Sequence, residues 1–182
     1  MDFKKRNIIA KDGKSYTVRR AEISDAEAVL KLLRITAEQS VFLLREPDEV
    51  TMTVEQEQAF IQQYSADSGT LLLLLEQGEQ LLGLCSVAPV GPFRRYAHRC
   101  GVAIALHRDV WGLNLGRNMM EILLTEAKQV GYEQAELDVI ADNHRAVALY
   151  KRLGFEQYGV MPRNMQYTDG TYADAIWMMK KL

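Results

Sequence analysis

The segment Leu106-His107-Arg108-Asp109-Val110-Trp111-Gly112-Leu113-Asn114-Leu115-Gly116-Arg117 joins an apolar, strand-like run to a stretch of helical periodicity. Gly112, Asn114 and Gly116 are residue types that tolerate left-handed backbone angles, so a connection made of them can turn several N–H groups toward one point. The helix that follows adds free N–H donors and the positive end of its dipole. Together they suit a diphosphate, with Arg117 in the first turn adding a charge. Gly112 and Gly116 would equally serve a plain tight turn. The segment is not a P-loop, since no Gly-Lys-Ser/Thr follows, and the Gly-x-Gly-x-x-Gly spacing of a dinucleotide fingerprint is absent. Trp111 fits either core packing or stacking against a ligand.

A second segment runs Asn143-His144-Arg145-Ala146-Val147-Ala148-Leu149-Tyr150-Lys151-Arg152-Leu153-Gly154-Phe155. Ala146, Leu149, Tyr150 and Leu153 fall on one helical face, Asn143 is suited to the N-cap, and Gly154 closes the helix. Asn143 and Tyr150 lie seven residues apart, which is about two turns, so one face can present both. Read alone, Asn143 is an N-cap and Tyr150 a core residue. The pattern Asn-x-x-Ala-x-x-Leu-Tyr-x-x-Leu-Gly-Phe, however, resembles a signature of the GCN5-related N-acetyltransferases (GNAT). The upstream segment is similar to the same family's CoA loop, Gln/Arg-x-x-Gly-x-Gly/Ala. The two motifs stand in the family's order and together cover roughly residues 102–160. Trp111 stands where Gln or Arg is usual, and Asn114 where the first glycine is usual. Asn is the least disruptive replacement for glycine at positive φ, and the family's phosphate contacts come largely from backbone N–H groups.

The resemblance implies a mixed, mostly antiparallel α/β sheet flanked by helices and acetyl-CoA as acyl-donor substrate, with no metal. It implies that the CoA pyrophosphate lies over the backbone of Trp111, Gly112, Leu113, Asn114, Leu115, Gly116 and Arg117. The pantetheine would run beside the strand end at Leu106, as if adding a strand. Asn143 and Ala146 would meet the CoA arm, and Tyr150 would lie near its sulfur. The implied reaction is direct attack by a primary amine of a small molecule or peptide on acetyl-CoA in a ternary complex. Such an attack expels a thiolate, which benefits from a proton donor or hydrogen bond, and a tyrosine hydroxyl supplies one. A non-catalytic acyl-CoA-binding sensor is the alternative, and a protein-interaction domain without CoA a third reading.

An alkyl ammonium must lose a proton before it attacks, and many relatives use a carboxylate on the strand before the CoA loop. Residues 96–106 contain no Asp or Glu. His98 is the one obvious base there, and Glu76, Glu136 and Asp138 fall on or near other strand-like runs, so no base is assigned. The acceptor site of such enzymes is commonly built by the first two helices, their loop and the final hairpin. Here the loop carries Glu46, Asp48 and Glu49, and the tail carries Asp169 and Asp174. These carboxylates would attract a cationic amine such as a polyamine or aminoglycoside, or simply form a solvated acidic surface.

These groups need a scaffold. Residues 16–20 read as a strand. Ser24 or Asp25 caps a helix with Val29, Leu32, Leu33 and Thr36 on one face, and Thr53 with Gln56 forms a capping box opening a second helix. Strand-like runs follow at 71–75, 81–88 and 96–106, a helix at 116–130, a strand at 135–140, a helix at 145–153, and strands at 155–161 and 173–179. The order is β-α-α-β-β-β-α-β-α-β-β, which calls for a mixed sheet with helices on both faces. With 182 residues and 48% apolar content, the chain is expected to form one domain over 1–182, with the CoA-binding core at about 96–160. A net charge of −2 gives no basic footprint for nucleic acid, and Lys4, Lys5 and Arg6 read as a solvated terminus. No run is long enough for a membrane span and no signal-like segment opens the chain, so a cytoplasmic location is expected. Cys85 and Cys100 are expected to be buried thiols, facing each other if a hairpin is centred near Pro92. Relatives often dimerise, so a homodimer is a further implication.

Overall fold

The computed structural model describes residue 1 and residues 3–182. Eight strands and four α-helices are present among them. In chain order they are β1 (Arg6–Ile9), β2 (Ser15–Arg20), α1 (Ala26–Gln39), α2 (Val54–Ala66), β3 (Leu71–Gln77), β4 (Gln80–Pro89), β5 (Arg99–Leu106), α3 (Leu115–Gln129), β6 (Gln134–Ile140), α4 (His144–Arg152), β7 (Glu156–Gln166) and β8 (Tyr172–Lys181). The strands form one sheet in the order β1-β2-β3-β4-β5-β6-β8-β7, and only the β5–β6 pair is parallel.

The expected element order holds with one addition. β1 pairs with β2 in an N-terminal hairpin, turning at Asp12-Gly13, where Gly13 has φ 77°. Arg6 belongs to that strand and bonds the buried Glu126 at 2.5 Å, whereas Lys4 and Lys5 are solvent-exposed. The Thr53–Gln56 capping box forms as read, with Gln56 N–H donating to Thr53 Oγ1 at 3.3 Å and Thr53 N–H to Gln56 Oε1 at 2.9 Å. Gly131 and Gly154 take the left-handed angles that end α3 and α4.

Period-two alternation divides the core between the two faces of the sheet. Leu71, Leu73 and Leu75 pack with Cys85, Val87 and Val102 under Met119, Met120 and Leu123 of α3, joined by Tyr150 and Leu153 of α4. Leu72 and Leu74 face the other way, against Ala26 and Val29 of α1 and Ile61 of α2. The run Leu71–Leu75 is buried on both sides, as its uninterrupted apolar sequence requires. The two cysteines are free and buried, but they do not face each other. Cys85 lies opposite Ile104 and Cys100 opposite Pro89.

The feature that shapes the site is the short β5–β6 pairing. It lasts for Arg99↔Gln134, Cys100↔Ala135 and Gly101↔Glu136, and then ceases. Beyond it, β5 stays bonded to β4 as far as Leu106, and β6 stays bonded to β8 as far as Ile140. The strands therefore splay, leaving a V-shaped opening with one unpaired backbone edge on each arm. Arg99 and Glu136 tie the closed end: Nη2 donates to Oε2 at 2.7 Å, Nε makes a second short bond, and Gln134 Nε2 donates to Oε1 at 2.7 Å. The Arg99 hydrogen bonds hold the Glu136 carboxyl below the ordinary glutamate range, with Gln134 adding to the effect.

That lowered pKa fixes the sign of a pH effect. The contribution of Glu136 is complete above the ordinary value of 4.5 and is lost as pH falls through its lower native value. Glu136→Gln should cost about 1–3 kcal/mol at pH 7, in line with a hydrogen bond to a charged group. In urea unfolding across pH 3 to 7, it should also flatten the acid limb of the stability curve. Asn114, at the N-cap of α3, carries a second expectation, because its φ of 67° is left-handed. Asn114→Ala should destabilise by about 1 kcal/mol, whereas Asn114→Gly should leave the unfolding midpoint essentially unchanged.

Candidate active site

A cavity of about 500 Å³ occupies the splay between β5 and β6. Residues 102–106 of β5 and 138–140 of β6 form its sides, and α4 contributes Asn143, Arg145, Ala146, Leu149 and Tyr150. The end of α1 and its following loop supply Thr36, Ser40 and residues 42–44, and β7 supplies Asn164 and Met165. Segments far apart in sequence thus meet where two neighbouring strands part.

The sequence-expected residues fall into two groups. Leu106, Trp111, Asn143, Ala146 and Tyr150 line the cavity directly. Gly112, Leu113, Asn114, Leu115, Gly116 and Arg117 lie just outside its lining, in the connection from β5 to α3. Gly112 and Asn114 adopt φ of 79° and 67°, as the motif requires. From Gly112 to Arg117, six consecutive backbone N–H groups find no acceptor within the chain among the described residues. The first helical bond of α3 is Asn118 N–H to the Asn114 carbonyl. The free donors therefore gather at the positive end of a fifteen-residue helix. Leu115 is wholly buried and anchors this end in the core. Gly116 is small for a steric reason: a Cβ there would lie 3.1 Å from Leu106 Cδ1. Arg117 is not a free charge, since its Nε donates to Glu121 Oε1 at 2.8 Å one turn along α3.

Trp111 is neither a core residue nor simply a stacking surface. Its indole Nε1–H donates to the Leu106 carbonyl at 2.9 Å, capping the last carbonyl of β5. Guanidinium groups of Arg145 and Arg108 lie 4.8 Å and 5.8 Å from its ring centre. The indole thus links the β5 end to α4 across the cavity mouth, through cation–π contact. Gln39 secures the same connection from α1: Arg108 N–H donates to its Oε1 at 2.7 Å, and Arg108 Nη2 donates to its carbonyl at 3.0 Å.

Asn143 caps α4, its Oδ1 accepting from Ala146 N–H at 3.2 Å, while also lining the cavity. Tyr150, two turns on, is 7% exposed and packs edge-on against Phe155 with ring centres 5.8 Å apart. Its hydroxyl has no hydrogen-bond partner within the chain among the described residues. Burial, reinforced by the charge of Asp138, pushes the phenol up to about 12, so it keeps its proton at neutral pH.

The carboxylates left unranked by the sequence now separate. Glu76 accepts from Arg19 Nε at 2.7 Å, and Glu136 is engaged by Arg99. His98 is exposed, stands ahead of β5 at its closed end and lines no part of the cavity. Asp138 alone among these groups lines it, close enough to raise the Tyr150 pKa. The acidic residues of the loop and tail do not line it. Glu46 and Glu49 cap a short 3-10 turn, Asp169 accepts from Thr171 N–H at 2.9 Å, and Asp174 accepts from Arg163 N–H at 2.8 Å. Sequence reasoning missed residues 42–44, Asn164 and Met165. Pro162 was the available signal for the last two: proline inside a strand marks a bulge, and the β7 register slips between Met161 and Met165. Among the described residues no cluster of His, Cys, Asp or Glu could hold a metal, and no helix is long and apolar enough to cross a membrane.

Residues 33–155 match the sequence model of the acetyltransferase (GNAT) family. The chain is 21% identical over 168 residues to the L-methionine sulfoximine/L-methionine sulfone acetyltransferase of Pseudomonas aeruginosa, covering 92% of this chain and 95% of that protein. Its fold is similar to the GNAT-family acetyltransferase from Streptococcus pneumoniae, with a TM-score of 0.88, 22% identity, and 92% and 99% of the two chains covered. It is also similar to the phosphinothricin acetyltransferase from Sinorhizobium meliloti, solved in complex with AcCoA. There the TM-score is 0.81 at 16% identity, over 96% of this chain and 89% of the other. The match of the family model across two thirds of the sequence shows that this chain belongs to the GNAT family and is an acetyl-CoA-dependent N-acetyltransferase.

Proposed function

We propose that the chain, acting as one domain over residues 1–182, moves an acetyl group from acetyl-CoA to a primary amine by direct attack within a ternary complex. The observation that carries this reading is the geometry of the splay. Unpaired N–H donors from Gly112 to Arg117 stand at one end of an unpaired β5 edge, and the Tyr150 hydroxyl stands free in the cavity beside that edge. The donor array suits the CoA pyrophosphate, as helix N-termini suit anions generally. The open edge of β5 from Val102 to Leu106 suits the amide-bearing pantetheine, which can bond to it as another strand would. Asn143 and Ala146 flank that path.

In the reaction, the amine nitrogen bonds to the acetyl carbonyl carbon and the carbon–sulfur bond breaks, leaving a thiolate. The proton shed by the nitrogen balances that thiolate, so the products are an amide and a free thiol. Tyr150 acts on the departing sulfur. A phenol raised to about 12 is a weaker acid than an ordinary thiol, so its contribution is a strong hydrogen bond to the thiolate rather than complete proton transfer. Such a donor acts where charge develops in the transition state.

Tyr150→Phe removes the hydroxyl and keeps the ring against Phe155. Thiol release with a competent amine should fall about 100-fold or more, the usual scale for a proton-donating group. CoA affinity, measured by calorimetry, should stay within about threefold. Unchanged turnover would remove Tyr150 from the mechanism. Tight acetyl-CoA binding without turnover on any amine would favour the sensor reading.

A further inference from the structure

The proposed acetyl transfer leaves the acceptor open, and the cavity carries information about it. On the side away from α4, the walls are Phe42, Leu43 and Leu44 from the loop after α1, with Met165 from β7. Phe42 and Met165 pack on Ile140, Ala173 and Ala175, so this wall is fixed to the sheet. Leu44 is 85% exposed at the rim, an apolar side chain offered to solvent. Charge in the lining is sparse. Among the described residues of the lining, Asp138 is the one carboxylate, and Arg145, the one cation, is held over Trp111. Thr36 uses its hydroxyl on the Leu32 carbonyl at 2.9 Å. The five carboxylates that could have drawn a polycation lie outside the lining, and Glu46, Glu49, Asp169 and Asp174 serve caps and turns.

Asp138 projects to this same side. Ala135, Leu137 and Val139 of β6 point into the core beneath α3 and α4, so by alternation Glu136, Asp138 and Ile140 point the other way. On β5, Val102, Ile104 and Leu106 pack into the core beneath α3 and α4, so Ala103 and Ala105 point to the same side as Asp138, and they are too small and too apolar to act on a proton.

Building on the acetyl-transfer reading, we propose that the acceptor is an amine with a single positive charge on an apolar, uncharged body. Asp138 holds the ammonium and accepts its proton, and the body rests on Phe42, Leu43, Leu44 and Met165. One carboxylate complements one ammonium. A second cation on the acceptor would have to be desolvated against leucine, phenylalanine and methionine without a partner. After proton loss the neutral nitrogen attacks the acetyl carbonyl and then sheds a second proton, which passes through solvent to the departing thiolate, while the Asp138 carboxyl releases the first proton to bulk water, so the products are the amide, the free thiol and one proton. A free amine and a peptide N-terminus with an apolar first residue share this chemistry.

The test uses the full chain with acetyl-CoA and amines of two kinds. Isoamylamine, phenethylamine, leucinamide and a leucine-initiated peptide form one set; spermidine and kanamycin form the other. The apolar set should exceed the polycations in kcat/KM by roughly tenfold or more, the scale of a hydrophobic pocket's discrimination. Comparison of leucinamide with the peptide separates the two sources of the amine. Leu44→Asp, at an exposed position that leaves the fold intact, should shrink that preference at least threefold by adding a carboxylate at the rim. Asp138→Asn should lower kcat/KM at pH 7 by about 100-fold and recover as pH rises and free amine accumulates. Preference for the polycations, or an Asp138→Asn enzyme with a wild-type pH profile, would overturn this inference while leaving acetyl transfer intact. Absence of turnover on every amine, with acetyl-CoA bound, would overturn both.

Discussion

The structure turns on the loss of hydrogen bonding between β5 and β6 after three residue pairs. A sheet that remained paired would have no room at its centre for any ligand. Because each strand keeps its other neighbour, the sheet is not weakened into two pieces; it opens locally and stays held on both sides. The opening exposes backbone polar groups that would normally be unacceptable in the middle of a sheet, since buried unpaired N–H and C=O groups are costly. They are tolerated here because the splay is a solvent-accessible cleft. The Arg99–Glu136 pair stands at the vertex, where it fixes the three pairs that remain.

The surroundings of the cleft convert this opening into a site. The connection from β5 to α3 turns its donors outward by using left-handed angles at Gly112 and Asn114. Trp111 replaces the side chain expected at the head of the loop, but it supplies a compensating link, capping the Leu106 carbonyl and carrying Arg145 on its ring. Departure from the family pattern at that position therefore leaves the loop anchored. On the opposite side, the loop after α1 meets β7 through Phe42 and the Ile140–Ala173–Ala175 cluster. This gives the cleft two chemically different ends: one made of backbone donors, the other of apolar side chains around a single carboxylate.

Much of this was legible in the sequence because it is governed by short-range rules. The start of α2 follows from its capping box, the ends of α3 and α4 follow from terminal glycines, and the buried run Leu71–Leu75 of β3 follows from five consecutive leucines. The two motifs specify local backbone shape, and the structure realises that shape at Gly112, Asn114, Gly154 and the Asn143 cap. The N-terminal strand was also within reach. Asp12-Gly13 is a strong hairpin signal, but the flanking Arg6–Ile9 run is short and its partner polar, so periodicity alone did not declare it.

What the sequence by itself determined was therefore the order of elements from β2 onward and the family, and it suggested the two ends of the proposed CoA path. Each depends on residues within a few positions of one another. Tertiary structure alone decided which carboxylate belongs to the cleft. Glu76, Glu136 and Asp138 are alike in sequence, and only packing puts arginines on the first two and leaves the third facing the cavity. It also decided that the acidic loop and tail lie outside the lining, while Leu43, Leu44 and Met165 lie within it. The physical reason is that exposure and charge pairing are properties of long-range contacts. Residues near 42, 138, 150 and 165 become neighbours only when two adjacent strands separate, and no local pattern encodes where that separation begins.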